Sequence, residues 1–327
     1  MSRASINLVR RAVSGKSDKY NILTFPTHER YETQLCKTGH NFYAFNAEGH
    51  KEWDESYAVR PDNYYVLPRN AIYQGIRYDF ILSQSKFGQF QLADQINEML
   101  GLPILCLEHT LPIPSWPPGQ ADAMRSMTGD HNVFISEFSR DQWSVNHDSV
   151  DVIHHSVDTN LFSPSDAEKA PHVLSVANDF INRDYCLNYS GWQRITDSIT
   201  TKVVGATEGL SEPASSTEEL AQEYNSAQVF LNTSTLSPIP TSLLEAMSCG
   251  SAVVSTATCM IPEVIVHGEN GFISNDEKEL RSYVLQLLED KELANKLGSA
   301  ARKTVLDNFS EKVFIDKWNN KFDEVVR

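Results

Sequence analysis

Apolar residues along the chain fall into short unbroken runs, and between those runs the apolar spacing widens to a helical period. Asn21–Phe25, Asn41–Phe45, Tyr78–Ser83, Leu102–Glu108 and Asn132–Ser136 read as buried strands in the first half. Val173–Val176, Lys202–Gly205, Val229–Leu231 and Ser251–Ser255 read the same way in the second half. Helical spacing follows most of them: from Thr27 to a stop at Gly39, then Phe90–Leu100, Glu137–Trp143, Glu218–Tyr224 and Leu243–Met247. Three further helices close the sequence, over Asp276–Leu288, Lys291–Asp307 and Glu311–Val326. Strands that alternate with helices predict an α/β protein with parallel, doubly wound sheets.

The best-defined stretch is 227–272. Its strand Val229–Leu231 is followed by a proline-broken loop, Asn232–Pro240, after which Thr241 or Ser242 is expected to cap a helix. That helix should stop at Gly250 with a left-handed cap, and Ser251–Ser255 returns as the next strand. Such a unit is a right-handed parallel crossover. Ligands of these sheets bind at the carboxyl ends of the strands, which puts the chemistry in the Asn232–Pro240 loop.

At 327 residues the chain suits two halves of about 150 residues each rather than one core. Pro164, Ser165 and Pro171 bracket a polar stretch that reads as a linker, and the boundary is placed near Asp158. No run of eighteen apolar residues exists to span a membrane, and the amino terminus lacks the apolar core of a signal peptide. Five cysteines without metal spacing read as reduced thiols, so a cytoplasmic location is expected. A net charge of −15 argues against a broad attraction to nucleic acid or anionic lipid. Arg3, Arg10, Arg11, Lys16 and Lys19 form a local basic cluster, read as a solvated helix face or tail ahead of a membrane contact.

The sequence LLEAMSCGSAVVSTATCMIPEVIVHGENGF (243–272) resembles the donor-nucleotide signature of retaining GT-B glycosyltransferases of the family 4 type. Glu245, Gly250, Pro262-Glu263 and Gly268-Glu269-Asn270-Gly271 carry the likeness, and IHHSVDTNLFSP (153–164) resembles that family's inter-domain segment. The resemblance implies two Rossmann-like domains facing a central cleft: 1–157 on the acceptor side, with the helix 311–327 packed back onto it, and 158–310 on the donor side. It implies transfer of a sugar from a nucleoside-diphosphate sugar, UDP- or GDP-linked, to an acceptor hydroxyl with retention of configuration. Neither a cofactor nor a metal is implied, and no Asp-x-Asp pair is present to hold one. The acceptor is left open among glycan, lipid, protein and modified nucleic acid.

Carried over residue by residue, Glu245 would accept the two ribose hydroxyls; as an alternative it is an ordinary glutamate complementing the helix dipole. Arg183 stands at the lysine of the family's GRLxxxKG and would grip the diphosphate, unless it is a surface arginine paired with Asp179 or Asp184. Asn178 stands where the family has arginine, and Ser237 where it has its other glutamate, eight positions before Glu245. Lys202 or Arg194 is a possible replacement cation. Gly205, Ile239, Thr241 and Ser242 complete the expected donor site. On the acceptor side, His109 would point into the cleft, and Thr27, His28 and Glu29 would bind acceptor, supply a base or merely cap a helix. The departures at Ser237 and Asn178 keep open a non-catalytic nucleotide-sugar-binding protein, with a nucleotide-sugar epimerase as a further alternative.

Overall fold

The computed structural model describes residues 19–327 apart from 56, 74 and 114, so most of the basic amino-terminal cluster lies outside the described residues. The chain divides into two compact units. One takes the described residues up to His154 together with Phe314–Arg327, and the other takes His155–Val313.

In the first unit the order is β1 (Asn21–Thr24), α1 (Glu29–Cys36), β2 (Asn41–Ala44), β3 (Tyr64–Val66), β4 (Phe80–Ser83), α2 (Gln89–Leu100), β5 (Ile104–Glu108), α3 (Pro118–Arg125), β6 (His131–Phe134), α4 (Glu137–Trp143) and β7 (Val150–Val152). All seven strands pair in parallel in the order β3-β2-β1-β4-β5-β6-β7. The order reverses between β1 and β4, which opens a crevice at their carboxyl ends. β4 and β5 are buried along their whole length, as strands covered on both faces must be. Phe314, Trp318 and Phe322, from the last helix of the chain (Glu311–Val326), sit in one apolar cluster with Ile22, Phe42, Phe80 and Leu105. Their four-residue spacing makes one buried helix face.

The second unit contains β8 (Ala170–Val176), α5 (Asp184–Leu187), α6 (Tyr189–Ile195), β9 (Thr201–Val204), α7 (Thr217–Ser226), β10 (Ala227–Asn232), α8 (Thr241–Ser248), β11 (Ala252–Ser255), α9 (Ile261–Val264), β12 (Phe272–Ile273), α10 (Glu277–Glu289) and α11 (Lys291–Asn308); α12 is the final helix already described. Its parallel sheet runs β12-β11-β10-β8-β9, with the reversal between β8 and β10. β10 is buried at all six positions. Among the described residues no helix is long and apolar enough to cross a membrane. All five cysteines are free thiols.

The expected end of α8 is found. Gly250 is left-handed at φ 68, and the amides of Gly250 and Ser251 return to the carbonyls of Met247 and Ala246. The expected start is corrected. The N-cap is Pro240, whose extended backbone enters the helix, and no side chain caps the first turn. α11 crosses this helix end at Gly298, where an added Cβ would stand 2.2 Å from the Gly250 carbonyl oxygen. Gly298→Ala should therefore lower stability by about 1–3 kcal/mol despite alanine's better helix propensity. Urea unfolding checks this, and an unchanged or higher midpoint would show that α11 moves away at little cost.

Candidate functional site

Each unit gathers polar side chains where its strand order reverses. In the second unit, the loop after β10 is held from both sides. The Thr235 amide donates to the Cys186 carbonyl at 2.8 Å and the Thr233 hydroxyl to the Leu187 carbonyl at 2.8 Å, tying the loop to α5. On the other flank the hydroxyls of Thr256 and Thr258 both donate to the Ser234 carbonyl. This fixes the path of Ser237 and delivers the chain to α8. Ile239 is buried in the core with Leu243 and Leu244, which leaves only its backbone to meet a ligand. Thr241 is exposed and Ser242 half-buried at the first turn of α8, which has no side-chain cap.

Glu245 is the fifth residue of α8, past its first turn, one or two residues further in than a cap at Thr241 or Ser242 would put it. It is half-buried, and its Oε2 accepts a 2.7 Å hydrogen bond from the Tyr224 hydroxyl. The alternative of a simple first-turn charge is therefore set aside: the side chain is held by a specific partner from α7.

Asn178 and Gly205 close the ends of β8 and β9. The Asn178 side-chain oxygen accepts from the Ala206 amide at 2.9 Å, and the Ala177 amide donates to the Val204 carbonyl. Gly205 has φ 136, and a Cβ there would lie 2.0 Å from the Ala177 carbonyl oxygen, so only glycine lets these two loops meet. Arg183 is exposed at the start of α5 and has no ion-pair partner among the described residues. Asp184 and Asp179, its nearest carboxylates in sequence, have other partners: Asp184 accepts from Ser190, and Asp179 from Asn182. Neither replacement cation is available, because Lys202 pairs with Glu223 at 2.6 Å and Arg194 binds both oxygens of Glu277.

In the first unit, His28, His109, Gln84 and Glu32 come together at the ends of β1, β4 and β5. His109 follows β5, its ring set edge-on to Tyr31 with centroids 4.5 Å apart and 6.5 Å from the His28 ring. Its Nε2 lies 3.4 Å from Oε1 of Gln84, so Nε2 carries the proton in that contact. Gln84 in turn donates to Glu32 at 2.9 Å. Glu32 is almost fully buried and also accepts from the Tyr64 hydroxyl and from the amides of Thr27 and His28. His28 returns the favour to the helix, accepting from the Tyr31 amide at its Nδ1. A cavity of about 180 Å³ opens beside Thr27, lined by Phe25, Phe45, Lys51, Phe87 and Gln89. Glu29 does not join this group; it is buried against Lys51 at 2.7 Å and the Asp54 amide. Glu108 also faces elsewhere, accepting from both the amide and the hydroxyl of Thr110.

Sequence reasoning missed Glu32, Gln84 and Tyr224. Only Glu32 left a trace in the sequence, four residues after the capping His28.

Residues 213–304 match the family model described as Glycosyl transferases group 1. Among curated proteins, the chain is 34% identical over 87 residues to N-acetyl-alpha-D-glucosaminyl L-malate synthase of Bacillus anthracis, covering 26% of this chain and 23% of that protein. It is 32% identical over 102 residues to alpha-maltose-1-phosphate synthase of Mycolicibacterium smegmatis, covering 29% and 26% of the two chains. These matches thus span about a quarter of the relatives' own length. Among solved structures, sucrose-phosphate synthase from Thermosynechococcus elongatus superposes with a TM-score of 0.76 at 12% identity, covering 94% of this chain and 99% of that one. Anabaena Alr3699/HepE in complex with UDP superposes with a TM-score of 0.71 at 15% identity, covering 94% and 100%. The fold is accordingly GT-B. The stretch that matches the group 1 glycosyl transferase model lies within its second unit.

Burial outweighs the four donors around Glu32 and pushes its carboxyl up to about 7. Its folded pKa is thus raised above the unfolded value. Its contribution to stability is full below that unfolded value and is lost as pH rises through about 7. The fall in unfolding free energy between about pH 5 and about pH 8 should shrink by roughly 2–3 kcal/mol in Glu32→Gln. Urea titrations at both pH values measure it, and an identical pH dependence in wild type and variant would contradict the assignment.

Proposed function

We propose that the chain is a glycosyltransferase that moves a sugar from a nucleoside-diphosphate sugar to an acceptor hydroxyl, with retention of configuration and without a metal ion, in the cytoplasm. The observation that carries this reading is Glu245, held by Tyr224 one turn inside an uncapped helix at the point where the sheet order reverses. It lies within the stretch that matches the group 1 family model.

In this reading Glu245 accepts the ribose hydroxyls, and first-turn amides of α8, which no side chain caps, meet the diphosphate, as helix amino termini do with anions. Arg183, uncommitted among the described residues, meets the leaving diphosphate by charge-assisted hydrogen bonds and stabilises its developing charge. The Gly205 loop, locked to Asn178, forms the wall against the nucleoside. The Ser237 loop faces the transferred sugar with a hydroxyl where relatives place a carboxylate. In the first unit, His109 and the Thr27–His28 loop serve the acceptor beside the 180 Å³ cavity. Catalysis would rest on positioning and leaving-group stabilisation. The Anabaena neighbour was solved with UDP and with UDP-glucose, which makes a uridine nucleotide the first donor to test and GDP the second.

A second reading, a nucleotide-sugar-binding protein without transfer, is favoured by Asn178, whose side-chain oxygen is spent on the Ala206 amide. Binding of a nucleotide sugar with no turnover across a broad acceptor panel would select it.

Calorimetry with UDP, GDP and their glucose conjugates tests the donor site. One nucleotide should bind wild type, and Glu245→Ala should weaken it by at least about tenfold. Failure of every nucleotide to bind wild type at near-millimolar concentration would refute the reading. Arg183→Ala should cost about tenfold for the diphosphate and leave the bare nucleoside unaffected. An equal loss for both would show that Arg183 does not meet the phosphates.

A further inference from the structure

Tyr224 is wholly buried on α7, 21 residues before Glu245 in sequence, and it is fixed at both ends. Its ring lies between Phe162 and Phe230, with centroids 5.9 and 5.8 Å away. Its carbonyl accepts from the Ser251 hydroxyl at 2.9 Å and from Lys169 Nζ at 3.2 Å. From this fixed ring the phenol donates its hydroxyl to Oε2 of Glu245 at 2.7 Å. A hydroxyl-to-carboxylate bond of this length is of the charge-assisted kind.

We propose that Tyr224 is a positioning residue for nucleotide recognition, holding the Glu245 carboxylate in the one orientation that receives a ribose 2′-hydroxyl. A glutamate on a helix surface samples several rotamers, and a ligand that needs one of them meets the ordering cost at the moment it binds. Here the buried phenol has already met it. Discrimination between ribose and 2′-deoxyribose then depends on Tyr224, although its ring has no exposed atom with which to touch a ligand. The inference rests on the ribose role given to Glu245 above.

The test is calorimetry on the full chain with UDP and 2′-deoxy-UDP, repeated with the guanine pair, for wild type and Tyr224→Phe. Phenylalanine keeps the ring that fills the core, and equal thermal midpoints check that it does. Wild type should prefer the ribonucleotide by about tenfold, the size expected when a buried acceptor loses its partner. Tyr224→Phe should reduce that preference to about threefold or less, while affinity for the deoxy form stays nearly the same. In a Glu245→Ala background the tyrosine substitution should change neither affinity. A variant that keeps the full preference would overturn the positioning role and leave the donor site standing. A wild type that binds both forms equally, or neither, would overturn the ribose role itself and the positioning role with it.

Discussion

The second unit depends on β10 having no solvent face. All six of its residues are buried, with β8 paired on one edge and β11 on the other. A strand so enclosed can carry only apolar or internally bonded side chains, and it cannot slip in register without breaking both ladders. Its carboxyl end is therefore a fixed point, and the polar loop leaving it starts from the same place every time. The hydroxyls of Thr233, Thr256 and Thr258 spend their hydrogen bonds keeping that loop on course rather than reaching outward. Rigidity of this sort is what the proposed donor site needs, since Arg183, the first amides of α8 and Glu245 would have to meet one ligand together.

The two buried-site carboxylates show how environment divides labour. Glu32 is enclosed and fully engaged, with four donors from three parts of the first unit converging on it. Its work is to hold the Thr27–His28 loop and, through Gln84, the ring of His109. Glu245 is half-buried and accepts a hydrogen bond from Tyr224 at Oε2. One is enclosed and the other lies partly open to solvent, although both are helical glutamates at the carboxyl edge of a parallel sheet.

What the sequence made legible follows from its periodicities. Long apolar runs and capped helices yielded most strands and helices, and the 227–272 unit was readable nearly to the residue because strand, turn chemistry and helix stop agree there. Three-residue edge strands such as Tyr64–Val66 and Val150–Val152 were not legible, being too short to show a period. The start of α8 was misplaced because Thr241 and Ser242 look like caps, whereas Pro240 already supplies the extended backbone that enters the helix. Arg183, Asn178, Gly205 and Glu245 were singled out through local motifs, and the fold sets them at or just beyond the carboxyl ends of β8, β9 and β10. Tyr224 and Gln84 were not, because their contacts to Glu245 and Glu32 join residues 21 and 52 apart, which no local pattern encodes; Glu32 left only its short spacing from His28.

The central claim is that the carboxyl edge of the second unit's sheet receives a nucleoside diphosphate. Hydrogen–deuterium exchange with and without saturating UDP or GDP addresses it directly. The account predicts slowed exchange confined to the loops after β8, β9 and β10 and the first turn of α8, around Arg183, Gly205 and Ser242. Slowed exchange confined to the first unit, or none in those loops despite measured binding, would contradict it.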